Sequence, residues 1–288
     1  MYDQAPGNGS GYVLKNERPF FVKFGDGIID AIRGALTKSM FETCAFFFAW
    51  AGYIALFVSA FLIMLGQAVL AAKGAGASAI FEGLLMAVGI CLMQYVAGKF
   101  LVANEVLIDT SPSKISSLAF TDCLTLCYIA GAILLFFAAL IMMFSGMASF
   151  LGSLVGNSTL PAVSLLAGSV GCLFAAVLCL NPDAISVEVG PKTTAGEEAI
   201  GIAYFFLKLG TKLVPIMFGM GCVSGAVVSL VKLIEVFKNT SMSFWEAQRA
   251  VGVGFLIPIG AYFAFLFTAL FIELIKSVVG LQWLTQNK

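Results

Sequence analysis

Apolar residues run along this chain in long blocks, separated by short polar stretches. The longest charge-free block, Cys123 to Pro182, holds sixty consecutive residues without Asp, Glu, Lys or Arg. A bilayer core is about 30 Å thick and takes ~20 apolar residues per helical crossing. The block therefore holds two crossings and a turn. Gly152, Gly156, Asn157, Ser158, Thr159 and Pro161 supply the turn chemistry. This places a buried hairpin with arms at residues 116–148 and 161–181.

The same reasoning gives crossings at residues 43–72, 80–103, 199–231 and 250–275. Thr194 with Glu197, and Ser243 with Glu246, have capping-box spacing, which starts a helix before each of the last two. Ahead of the first crossing, residues 1–19 read as a polar coil. Over residues 20–42, Phe21, Phe24, Ile28, Ile32, Leu36 and Met40 recur at helical spacing, with Lys23, Asp26, Asp30 and Arg33 on another face. That is the pattern of an amphipathic interfacial helix. The expected fold is an all-α membrane protein: a polytopic bundle of about six transmembrane helices in one domain, residues 43–276, with a tail at 277–288.

Composition sharpens this picture. The chain is 60% hydrophobic and 11% charged, against about 25% charged in soluble domains, and its mean hydropathy is +0.99. Zero net charge argues against a nucleic-acid partner. The absence of histidine removes imidazole bases and the commonest metal ligand. The seven cysteines fall in apolar runs, without a C-x-x-C pair, and read as small hydrophobes. No metal and no cofactor are expected. Positive charge weighs towards the side that holds Lys15, Arg18, Lys23, Arg33, Lys38, Lys114 and Lys192. Both termini are thus expected on the cytoplasmic side, in a bacterial inner (plasma) membrane.

Candidate chemistry is sparse. Glu197, Lys208 and Lys212 stand at spacings of eleven and four, which puts them on one helix face. Ionisable groups inside a membrane segment are costly, so this is the candidate intramembrane polar face. Glu82 and Asp122 read as interfacial carboxylates. Gly221 and Gly225 form a G-x-x-x-G, and Gly171 lies between Ala167 and Ala175 at four-residue spacing. Both are candidate helix-packing sites. Pro215 and Pro258 are candidate kinks. The loop with Asn104, Pro112 and Lys114 resembles the loop with Asn181, Pro191 and Lys192, which suggests two helix–loop–helix units running parallel.

These features point to a non-enzymatic integral membrane subunit of a larger complex. Its expected partners are membrane lipids and other integral membrane subunits. The alternative is a channel, facilitator or transporter for a small solute, favoured by the two prolines and the repeated loops.

Overall fold

A computed structural model of the protein describes residues 27, 29, 31–34, 36–111, 113–116, 118–145, 160–190, 195–238 and 244–286. The chain divides into two compact units, Met1–Ala35 and Leu36–Lys288. In the first, residues 27, 29 and 31–34 are helical. The polar coil at 1–19 and most of the amphipathic stretch lie outside the described residues, as does the 152–159 turn.

The described residues of the second unit are almost wholly helical. They contain α1 (Lys38–Leu70), α2 (Ala77–Thr110), α3 (Leu118–Ser145), α4 (Leu160–Leu180), α5 (Ala195–Lys212), α6 (Val214–Lys238) and α7 (Trp245–Gln286). Two three-residue strands, β1 (Ser113–Ile115) and β2 (Val187–Val189), interrupt the series. Among the described residues, five spans are long and apolar enough to cross a membrane; α5 and α6 together form one of them. In α4, Leu165–Leu180 is apolar but shorter.

α1 begins where Thr37, in extended conformation, turns its hydroxyl to accept from the Met40 amide at 3.4 Å. Its buried side carries Gly52, Leu56, Ser59, Ile63, Gly66 and Leu70, at three- and four-residue spacing. The opposite side shows Phe46, Phe47, Trp50, Ile54, Phe57 and Phe61 to the surroundings. A five-residue π-helical segment, Ala71–Ala75, ends the helix. Gly74 (φ 107°) and Gly76 (φ 80°) then reverse the chain through backbone angles that side-chain-bearing residues rarely adopt.

On α2, Gly83, Ile90, Ala97 and Asn104 are buried at seven-residue intervals, a narrow seam. α1, α2, α7 and α6 meet in a ring, each against the next. Missing side chains close this ring. A Cβ on Gly219 would lie 2.2 Å from the Phe48 carbonyl oxygen, and one on Gly52 would lie 2.5 Å from the Phe218 ring. A Cβ on Gly221 would lie 2.9 Å from the Gly254 Cα, and one on Gly225 would lie 2.9 Å from Val251. The G-x-x-x-G on α6 is therefore where α7 approaches. At Gly171 an added Cβ would make only ordinary contact, 3.8 Å from Met217 Sδ.

α3 and α4 form an antiparallel pair outside the ring. α3 packs chiefly on α4, and α4 leans on α1, α5 and α6. Two buried clusters result. One, around Leu56, Ile63, Phe218, Phe244 and Val251, fills the ring. The other, around Phe41, Ile115, Leu178, Ile185 and Phe205, lies at the end where the strands pair.

Several boundaries depart from the sequence reading. α2 runs on to Thr110, through residues 104–110 that read as loop, and α6 runs to Lys238 rather than ending near 231. α7 continues through residues assigned to a tail. The fifth crossing is two helices, broken at Leu213. Pro215 is the second residue of α6, where a missing N–H is cheap. Pro258 stays inside a continuous α7. Thr194 and Ser243 lie outside the described residues.

Candidate functional site

Polar side chains converge at the end of the bundle that carries β1 and β2. The strands pair in parallel, with Ser113 opposite Val187, Lys114 opposite Glu188 and Ile115 opposite Val189. The Gly190 amide extends the ladder to the Ile115 carbonyl at 3.0 Å. The inner residues Ile115 and Val187 are buried, and Lys114 and Glu188 face outward. A short 3₁₀ turn, Pro182–Ile185, leads into β2 and ends at Ser186 in the left-handed region, φ 53° and ψ 45°.

α5 underlies this ladder. Gly201 allows the approach, since a Cβ there would sit 2.0 Å from the Lys114 carbonyl oxygen. Lys208 is fully buried, and its ammonium donates to the Ser186 carbonyl at 2.8 Å. The Ser186 hydroxyl donates to Asp109 Oδ1 at 3.0 Å. One turn along α5, Lys212 pairs with Glu105 at 2.9 Å. The Ser116 amide donates to Glu198 at 2.6 Å. α5, β1, the β2 loop and the end of α2 are thereby tied into one polar layer.

The layer frames an open cavity of about 490 Å³, lined by Asp109, Ser113, Lys114, Asp183, Ser186 and Glu188 among others. The described residues contain no group of three or more metal-ligating side chains.

Two asparagines anchor the helices that lead into the layer. Asn104 donates to the Pro258 carbonyl at 3.0 Å, and Asn181 to the Leu36 carbonyl at 3.0 Å. Each is the polar residue that marks its loop in sequence, and each ties its helix to a neighbouring backbone.

The three candidate residues all lie on one continuous helix, α5, and differ in burial and partner. Glu197 is exposed at the start of α5, Lys208 is buried beneath the ladder, and Lys212 is committed to Glu105. Sequence reasoning missed Ser186 and Asp109: Lys208 meets Ser186 at a backbone carbonyl, and Asp109 joins only through the Ser186 hydroxyl.

The opposite end of the bundle has its own polar contacts. Lys73 donates to the carbonyls of Val236 and Phe237, at 2.6 and 2.9 Å, and so caps α6. Lys232 pairs with Glu235 at 3.0 Å. Between the two ends, the described outer surface of α1, α2, α3, α6 and α7 is rich in exposed large apolar side chains. Monomeric soluble proteins rarely expose patches of this extent.

The architecture and its apolar exterior define an all-α, multi-pass membrane protein. No protein-family model, curated protein or solved structure matches the chain.

Proposed function

We propose that this chain is a non-enzymatic integral subunit of a larger membrane assembly, joined to it through the open face of α3. The supporting observation is the line Cys123, Cys127, Ala130, Leu134, Phe137 and Ile141, all exposed and spaced alternately by four and three. In the α3 span only 11% of the apolar window is buried, against 44% in α1. Lipid tails solvate such a face as well as a helix does, so apolar area alone does not drive association. Small residues do favour it, because they let two backbones approach closely. Here they fill the half of the line nearest the strands.

In this reading the bundle makes six crossings, and both termini face the cytoplasm from a bacterial inner membrane. A facilitator is the weaker alternative. The two lysines that would line its pathway are held by Ser186 and Glu105. The test is extraction in a mild detergent, followed by native sizing. The proposal expects a complex of several different chains, which Ala130→Phe disperses while the 30.4 kDa chain stays folded. A folded, active species containing this chain alone, indifferent to Ala130→Phe, would overturn it.

A further inference from the structure

We infer that the groove between α2 and the start of α7 is a binding site for one anionic phospholipid. The groove has a volume of about 370 Å³. Its walls include Met86, Gly89, Ile90 and Met93 of α2, with Trp245, Gln248 and Arg249 of α7 at its rim. Gly89 creates the space: a Cβ placed on it meets nothing within 4 Å. Methionine and isoleucine walls suit an acyl chain, and methionine adapts its shape to fit one.

The rim supplies the selection. Arg249 is exposed, and its guanidinium pairs best with a phosphate whose charge no headgroup cation offsets. The Gln248 amide is directed at Met86 Sδ. A thioether is a weak acceptor, so this amide is available to an ester carbonyl of the glycerol backbone. Trp245, 63% exposed, suits the headgroup border.

The depth is consistent. Glu82 lies on α2 about one turn beyond Met86, and ~25 Å of helix separates it from Lys99. That approaches the thickness of a hydrocarbon core. Arg249, near the level of Met86 and Gln248, therefore stands at the border, with the groove running inward below it. Both the phosphate and one chain can be held without lifting the lipid out of its leaflet. This inference needs only the membrane setting, and stands or falls separately from the assembly proposal.

The test measures thermal unfolding of the delipidated full chain in detergent, with added phosphatidylglycerol or with phosphatidylcholine of the same acyl chains. Phosphatidylglycerol at tenfold excess over half-saturation should raise the unfolding temperature by about 3 °C, and phosphatidylcholine by clearly less. Arg249→Gln should abolish the difference between the two lipids. Gly89→Phe should abolish the response to both, while leaving unfolding without lipid near its original temperature. Equal responses to the two lipids in the original protein would overturn the inference. So would a preference for phosphatidylglycerol that survives Arg249→Gln. If Gly89→Phe fails to fold, the Arg249→Gln comparison decides alone.

Discussion

Lys208 reaches from α5 to the carbonyl of Ser186, 2.8 Å away, and Ser186 is the one non-glycine position with positive φ among the described residues. A buried ammonium thus holds a turn in a conformation that costs an ordinary residue about 1–2 kcal/mol. The same serine passes the contact on to Asp109 of α2 through its hydroxyl. Three segments far apart in sequence meet at these two residues.

Removing the ammonium should loosen all three. Lys208→Met keeps much of the apolar stem and deletes the donor, which should destabilise the protein by about 1.5–3 kcal/mol, the range for hydrogen bonds to charged groups. Ser186→Gly relieves the backbone cost and loses only the hydroxyl bond, so it should lie within about 1 kcal/mol of the original. Chemical or thermal unfolding in detergent measures both. Equal losses from the two changes would mean that the lysine does not hold the turn.

The extent to which this was readable in sequence differs by level. Apolar runs located the long spans, because hydrocarbon solvation depends on composition alone. The Gly221–Gly225 spacing marked a close approach, though not its partner: Gly254 and Val251 have no special spacing of their own. Residues 104–110 read as loop because Asn104, Glu105 and Asp109 are polar. They remain helical because Asn104 bonds the Pro258 carbonyl, Lys212 neutralises Glu105, and Ser186 bonds Asp109. The partners are distant in sequence, and one is backbone. The strands were invisible for a simpler reason. Three residues carry no period, and only the likeness between the two loops hinted that they run side by side.

Glycine substitutions should divide sharply by position. At Gly219 the obstructing atom is a backbone carbonyl, which cannot swing aside. Gly219→Ala should therefore cost about 1–3 kcal/mol or more through overpacking between α1 and α6. Gly210 and Gly260 are helical with nothing within 4 Å of an added Cβ. Alanine at either should stabilise by roughly 0.5–1 kcal/mol. Unfolding temperatures of the three variants decide this, and a Gly219→Ala protein as stable as Gly260→Ala would refute the close crossing.

Lys73 offers a local test at the other end. Its ammonium serves the last carbonyls of α6, which have no partner further along the helix. Lys73→Gln should cost about 0.5–1.5 kcal/mol and fray α6 from its C-terminal end. Hydrogen exchange should accelerate at residues 234–238 and stay unchanged at 218–225. Uniform acceleration along the helix would assign Lys73 to global stability instead.

The paired loops allow the most specific prediction. Lys114 and Glu188 are opposite each other in a parallel ladder, and both side chains face outward. Neighbouring strands lie about 4.8 Å apart, within the 4.4–6.8 Å between Cα atoms that a disulfide tolerates. Lys114→Cys combined with Glu188→Cys should therefore cross-link on mild oxidation. Val189 is one residue further along β2, and successive strand residues point to opposite faces. Lys114→Cys with Val189→Cys should cross-link much more slowly, although the residues are almost as near in sequence. The two readings separate by register alone, because a slip of one residue would exchange the fast pair for the slow one. Mass spectrometry of the digested chain reads the linkage. A fast Lys114–Val189 cross-link would require the two loops to be aligned differently, and with them the Ser186 turn that Lys208 holds.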